Sequence, residues 1–352
     1  MNMNDKVTIC MPAYNAEKHL KQTLNSILSQ TWQNWELVVV DDGSTDKTSR
    51  ICREYANRDS RINLIRQNNS GAPTARKTAV YSSVAEKNKW LMFCDADDII
   101  PKDAVRKLVE TTDRYETDMV CGVIRRMIKG FVLSGNNPHF LNINEPRMYK
   151  HDEIITDIFC CFFGIQGFPV SLCGKLFRYN YIREAIATDN VVHFTADDLI
   201  VTMQVVANIE SMVLIPDVVY QYRMGGGTAA YSPTLLDDFV SLYRFRLPYI
   251  EQYQMRQDVR WFMDVELMYY TQTYLIQQVR KNGLDTIEDE IIKLNSIPEI
   301  NSVAEVLSSK DSNVSKYAAM LYKKDVRGIA DMIDTKIRNG RKKELLKRFL
   351  VR

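Results

Sequence analysis

Between Val7 and Cys94 four short apolar runs rich in β-formers alternate with three stretches of helical spacing, and that order leaves few folds open. Val7–Met11, Trp35–Val40, Ile62–Ile65 and Trp90–Cys94 read as strands. Glu17–Ser29 has helical spacing through Leu20, Leu24, Ile27 and Leu28. A second helix is capped by Asp46 and reaches about Asn57, and a third runs from Pro73 to about Val84. Strand, helix, strand in this order implies parallel pairing with right-handed crossovers, hence an α/β sheet. Ligands of such sheets bind beyond the carboxyl ends of the strands. The polar clusters Pro12–Asn15, Asp41–Thr45 and Asp95–Asp98 fall at those ends, which places a site before any motif is considered.

From Pro101 the alternation stops. Asp103–Thr112 reads as a helix, Met119–Phe131 as one or two strands, and Gly135–Pro146 as a loop. Helices are expected over His151–Phe163 and Asp197–Ile209, with a strand over Met212–Tyr222. Beyond Pro233 the pattern is helical with few breakers. The expected division is residues 1–232 (a nucleotide-binding half, 1–100, and an acceptor-side half, 101–232) followed by a helical region over 233–352. Ile158–Gly174 carries no charge, but Gly164, Gln166, Gly167, Pro169 and Ser171 interrupt it, so it is expected to be buried or to line a pocket, since a spanning helix needs about 20 apolar residues. The polar start, Met1–Lys6, runs straight into a strand and offers no secretory signal. Seven cysteines make no C-x-x-C pair and cannot all pair with one another, so the expected compartment is a reducing cytoplasm. The 46 basic and 44 acidic residues nearly cancel, which argues against a nucleic-acid partner.

Two acidic turns carry chemistry. Asp95-Ala96-Asp97-Asp98 presents carboxylates spaced one apart, an arrangement that holds a hard divalent cation and leaves positions for phosphate oxygens; a solvated loop reads the same way. In Asp41-Asp42-Gly43-Ser44-Thr45-Asp46 the acids can accept hydrogen bonds from a base or ribose and Gly43 permits close backbone approach, although a tight turn before a helix cap has the same composition. His19, His139 and His151 have no evident partner, and His193, five residues before Asp198, reads as structural or as a third metal ligand. The tyrosines and Trp261 between Tyr243 and Tyr274 fall at helical spacing and are expected in a core, not on a sugar-stacking platform.

Together the turns form an ordered set: Pro12-Ala13-Tyr14-Asn15-Ala16-Glu17, Asp41 to Asp46, Asn69-Ser70-Gly71-Ala72-Pro73-Thr74-Ala75-Arg76, and Asp95 to Asp98. Over about residues 5–100 this resembles the family 2 glycosyltransferases, more loosely so to about Thr228, and not over the C-terminal helices. The resemblance implies a GT-A fold, a Rossmann-like mixed sheet flanked by helices that binds a nucleotide-sugar, and inverting transfer with Mn²⁺ or Mg²⁺. It implies that Pro12, Tyr14 and Asp42 surround the nucleobase, that Asn69 belongs to the same nucleotide site, and that Arg76 lies near the base or diphosphate. Asp95 would face the ribose side and share the metal site with Asp97, the diphosphate's metal ligand. Lys77 stands where asparagine is common. The family's base comes from a Glu-Asp pair about one hundred residues past the D-x-D turn, and Asp197-Asp198 matches it with Asp for Glu at 197, so Asp198 is the expected base and Asp197 its understudy. Without the resemblance, the same two acids read as an N-cap and a first-turn charge. Tyr220-Gln221-Tyr222-Arg223, then Gly225-Gly226-Gly227-Thr228, resembles a Tyr-Arg segment whose arginine would neutralise the leaving diphosphate while the glycines hinge a loop. Leu172–Phe177 is similar to a Lys-Leu-Tyr segment, with Lys175 at the acceptor, supporting the base, or packed.

Related bacterial enzymes build capsule, lipopolysaccharide or teichoic acid, so the resemblance implies a UDP-sugar donor and a glycan or lipid-linked acceptor. A protein acceptor, or a scaffold subunit that binds the nucleotide-sugar without catalysis, is the alternative. Neither G-x-G-x-x-G nor G-x-x-x-x-G-K-[ST] occurs, which excludes the usual dehydrogenase and P-loop sites. Lys336–Arg352 holds eight basic residues and one acid, a net of +7 in a chain whose total is +2, and Leu345, Leu346, Phe349 and Leu350 share one helical face. Such a tail either lies peripherally on the inner face of the cell membrane, each basic residue contributing about 1 kcal/mol, or packs on its own protein or a neighbouring copy as a homo-oligomer.

Overall fold

A computed structural model describes residues 6–82, 84, 85, 88–128, 130–133, 135, 138–187, 191, 192, 196–224, 232–309 and 313–349, with the backbone alone at 257, 313 and 341–349. His193, the glycines 225–227, and the side chains on which the amphipathic tail depends lie outside the described residues. The chain divides into two compact units, Met1–Ala229 and Ala230–Arg352.

In the first unit the strands β1 (Val7–Ala13), β2 (Trp35–Asp42), β3 (Ile62–Gln67) and β4 (Trp90–Phe93) pair in parallel in the order β3-β2-β1-β4. β1 is hydrogen-bonded on both edges and covered on both faces, which is why its sequence is a continuous apolar run. The sheet continues through β8 (Lys175–Arg178), β5 (Met119–Ile128), β9 (Ser211–Arg223) and β7 (Arg147–Lys150), and the short β6 (Phe131–Val132) pairs with β5. β8 runs antiparallel to both β4 and β5, so the sheet is mixed, as expected for a GT-A fold. From β1 the chain builds outward to β2 and β3, then returns through a helix to place β4 on the other side of β1. That reversal is the switch point at which open α/β sheets bind ligands.

The crossovers are α1 (Leu20–Leu28), α2 (Thr48–Ala56) and α3 (Ala72–Val80), followed after β4 by α4 (Ala104–Tyr115). Leu20, Leu24 and Ile27 of α1 are buried, as their spacing requires. Trp35 and Trp90 are fully buried in the core beneath the strands. Asp46 sits one residue before the N-cap Lys47 and accepts from the Thr48 N–H at 2.8 Å and the Glu17 N–H at 3.1 Å, so it ties two turns together besides starting α2. The regular helix expected over His151–Phe163 is absent: α5 (His151–Glu153) passes into a π turn at Ile154–Ile158 and a 3₁₀ turn at Phe159–Phe163. All five side chains Phe159–Phe163 are buried, which leaves no polar face for an amphipathic helix. α6 (Tyr179–Ala187) and α7 (Asp197–Asn208) complete this unit.

The second unit is helical: α8 (Leu235–Gln252), α9 (Gln257–Asn282), α10 (Ile287–Ser296), α11 (Pro298–Ser308), α12 (Asn313–Tyr322) and α13 (Val326–Phe349). α9 is its axis, packed by each of the others. Tyr243 and Tyr274 are buried and Tyr270 stacks on Phe239 at 4.0 Å, but Trp261 is 40% and Tyr269 51% exposed, so the expectation that all these aromatics are core fails for two of them. These two lie on α9 where the surrounding helices leave it exposed. All seven cysteines are buried free thiols. No described helix is long and apolar enough to cross a membrane.

Candidate active site

The turns after β1 and β2 are built as one piece. Asn15 adopts a left-handed φ of +46°, and its N–H donates to Ser44 Oγ at 3.1 Å while its Oδ1 accepts from the Thr45 N–H at 2.9 Å. The Ala16 N–H donates to Thr48 Oγ1 at 2.7 Å, and Glu17 accepts from the Lys47 N–H at 3.0 Å. Asp41 accepts from the Ser44 N–H at 3.0 Å and closes the second turn on itself. Asp42, nearly fully buried, accepts from Gln67 Nε2 (2.7 Å), the Ser70 N–H (2.9 Å) and the Gly71 N–H (2.8 Å), so it ties down the approach to α3. Gly43 has φ +74°, and a Cβ there would stand 2.7 Å from the Asn69 backbone nitrogen. Gly43→Ala is therefore expected to cost on the order of 3 kcal/mol, from left-handed backbone strain and overpacking together. An unchanged urea midpoint for that variant would refute the close approach.

These turns open on a cleft of about 660 Å³ that Arg76, Asp95, Asp97 and Tyr222 line from the other side. Pro12, Tyr14 and Asp42 all face it, Tyr14 at half exposure on the rim. Asn69 does not: it is exposed and lines a neighbouring hollow with Gly43, Arg66 and Gln67. Lys18 and His19, which the sequence did not single out, also line the cleft. Burial, then the charges of Arg223 and Lys18, hold the His19 imidazole below its ordinary range. Their signal was position alone, immediately after the Pro-Ala-Tyr-Asn turn.

Arg76 is the centre of the arrangement. Its side chain, 12% exposed, donates to Asp197 Oδ2 at 2.5 Å and to Asp95 Oδ1 at 3.1 Å, so one guanidinium joins the turn after β4 to the start of α7. Ala196 just before α7 has φ +70°, a strained conformation for alanine, and it sets the angle at which the two acids enter the site. Burial and then the Asp197 charge push the Asp198 carboxyl up to about 6, against the opposing pull of Arg76. Asp198 Oδ1 accepts from the Leu199 N–H at 2.8 Å. Asp197 and Asp198 are thus the first-turn acids of α7; neither lines the cleft itself, and Asp197 borders a small hollow beside it with Pro73 and Arg76.

Asp97 is the open carboxylate. Asp95 is occupied by Arg76 and faces the Cys173 thiol at 3.9 Å, whereas among the described residues no side chain donates a hydrogen bond to Asp97. Burial and the Asp95 charge hold the Asp97 carboxyl above the usual range. A bound cation would relieve that repulsion, so the pair fits a hard divalent ion. Among the described residues no group of three or more His, Cys, Asp or Glu is gathered for a metal. Arg223 is engaged with the turn itself: its Nε donates to the Asp97 carbonyl at 2.7 Å and its Nη2 to Gln22 at 2.9 Å. Lys175 is fully buried, its Nζ donating to the carbonyls of Pro169 (2.6 Å) and Ser171 (2.5 Å), which is a packed role as the structure stands.

Residues 8–177 match glycosyl transferase family 2. Glycosyltransferase GlyA of Streptococcus pneumoniae is 39% identical over 122 residues, covering 35% of this chain and 17% of that protein. The poly(ribitol-phosphate) beta-N-acetylglucosaminyltransferase TarS of Staphylococcus aureus is 25% identical over 229 residues, 62% of this chain and 35% of that protein. The crystal structure of S. aureus TarS residues 1–349 with UDP-GlcNAc superposes with a TM-score of 0.62 at 21% identity, covering 95% of this chain and 92% of that one, a likeness of fold. This chain spans well under half the length of curated relatives it matches, 17% of GlyA and 39% of the pneumococcal glycosyltransferase GlyG.

Proposed function

We infer that this chain, which belongs to glycosyl transferase family 2 through its residues 8–177, moves a sugar from a nucleotide-sugar to a hydroxyl of a bacterial surface glycan with inversion at the anomeric carbon. The Arg76 bridge carries this reading: it gathers Asp95, Asp197 and hence Asp198, more than one hundred residues apart in sequence, beside a cleft of nucleotide-sugar size.

The base end of the donor lies against Pro12, Tyr14 and Asp42, with the diphosphate toward Asp95 and Asp97. Asp198 takes the proton from the acceptor hydroxyl as that oxygen attacks the anomeric carbon from the face opposite the diphosphate. A carboxylate with its pKa raised to about 6 is well matched to this, being ionised at neutral pH and a stronger base than an exposed one. Arg76 keeps Asp197 paired, so the proton goes to Asp198 and not to its neighbour. A divalent cation held by Asp97, with Asp95, would neutralise charge growing on the departing diphosphate. Because the displacement is direct, one carboxylate base suffices and no sugar is held covalently.

UDP is the favoured nucleotide, since one structural neighbour was solved with UDP-GlcNAc. The favoured acceptor is a wall glycan of the teichoic type, after the names of TarS and of the putative teichuronic acid glycosyltransferase TuaG of Bacillus subtilis. The basic end of α13 suits a polymer assembled at an anionic membrane surface. Purified protein given UDP-, GDP- and dTDP-sugars with Mn²⁺ and poly(ribitol phosphate) is expected to release nucleoside diphosphate from one donor and to label the polymer. Nucleotide-sugar binding without release or labelling, with and without that acceptor, would favour a scaffold subunit, and no binding at all would overturn the reading.

A further inference from the structure

The turn Asp95–Asp98 follows a strand of only four residues and presents the carboxylates of Asp95 and Asp97 to the cleft, where burial and mutual repulsion raise the cost of holding them together. Something must fix its backbone, and the end of β9 does so at several points. The Asp95 N–H donates to the hydroxyl of Tyr220 at 3.0 Å, and that hydroxyl donates to Asp98 Oδ2 at 2.8 Å. Asp98 Oδ1 accepts from the Arg223 N–H at 2.6 Å. Ile99 and Gln221 exchange two backbone hydrogen bonds, at 3.1 and 2.9 Å, and Arg223 Nε holds the Asp97 carbonyl. Tyr220 and Asp98 are both fully buried, so neither reaches the cleft.

We propose that the Tyr220 hydroxyl and the Asp98 carboxylate form a fixed support that aims Asp95 and Asp97 at the donor's diphosphate, which makes Tyr220 and Asp98 positioning residues for the diphosphate end of the donor alone. Asp98 is thereby assigned to the scaffold of the turn and not to the metal. The base end is held by different atoms, since Asp42 takes its donors from Gln67, Ser70 and Gly71. The two ends of the donor site are therefore separable. This inference rests on the nucleotide-sugar reading of the cleft.

Tyr220→Phe removes one oxygen and keeps the ring that fills the core. Binding is measured by calorimetry on the full chain, with UDP and uridine (and the GDP and dTDP pairs), each with and without Mn²⁺. The expected result is an affinity for nucleoside diphosphate with Mn²⁺ lowered tenfold or more, while affinity for the nucleoside stays within twofold and circular dichroism is unchanged. Equal loss for nucleoside and diphosphate, or no loss for either, overturns the proposal. Should Tyr220→Phe not fold, Asp98→Asn reverses the hydrogen bond at the other end of the support and is expected to show the same split. A wild-type chain that binds none of these nucleotides overturns the cleft reading itself, a result distinguishable from wild-type binding that Tyr220→Phe leaves intact.

Discussion

Asp198→Asn is expected to slow sugar transfer by about 10²–10⁴-fold while leaving nucleotide affinity within about twofold. The asparagine keeps the shape of the side chain and can still accept the Leu199 N–H, so α7 begins as before. What it cannot do is take a proton. Asp197 does not substitute, because its carboxylate is already paired with Arg76 at 2.5 Å. The wild type has a matching signature in pH. Asp198 must be ionised to act, and its carboxyl is raised to about 6, so kcat/KM should be level above pH 7 and fall tenfold per unit below about 6. An ordinary exposed carboxylate would place that limb near 4. Steady-state rates between pH 5 and 8, with and without the substitution, decide it. Near-normal transfer by Asp198→Asn would sink the base assignment and leave the fold untouched.

The candidate base was legible because it stands in a two-acid cluster entering an apolar helix, and because Asp197-Asp198 lies at a recognisable distance from the turn after β4. Its partner was less so: nothing in the sequence says that Arg76, on α3, reaches both Asp95 and Asp197, since that contact depends on how β4 and α7 are brought together by a mixed sheet. The first four strands could be read off directly, because buried parallel strands are continuous apolar runs bounded by turn residues. β7 and β8, four residues each, carry no such periodicity: β7 falls between the expected loop and helix with no element assigned, and β8 lies within the Lys-Leu-Tyr-like segment. His151–Phe163 misled for a related reason: over Phe159–Phe163 apolar residues on every side fit several helical windings equally, and the segment takes π and 3₁₀ turns in place of a regular helix. Asn69 shows the limit of carrying a motif over by position, since its neighbours Ala72, Ala75 and Arg76 face the cleft while Asn69 itself points to the hollow beside it. In sequence Tyr220 stands out only as part of the Tyr-Arg segment, in which the arginine draws attention, yet its buried hydroxyl holds the turn after β4.

Asp97→Ala is expected to abolish the gain in nucleoside diphosphate affinity that Mn²⁺ confers and to lower transfer by about 10³-fold, with little change in stability. Metal stabilisation of a departing diphosphate contributes several kcal/mol to the transition state, which is that order in rate. Stability should hold because removing Asp97 also removes the repulsion that keeps its carboxyl above the usual range. Asp95→Ala should behave differently. Arg76 is 12% exposed and shares its charge between Asp95 and Asp197, so losing one partner leaves a buried guanidinium half-compensated. Breaking a buried pair costs roughly 3–5 kcal/mol, and Asp95→Ala is expected toward the lower end because Asp197 remains. Urea denaturation of both variants, with calorimetry of UDP binding at zero and millimolar Mn²⁺, separates the two roles. If Asp97→Ala keeps the Mn²⁺-dependent gain, the cation is held elsewhere. If Asp95→Ala unfolds no more readily than Asp97→Ala, then Arg76 is not the keystone that joins the two halves of the site.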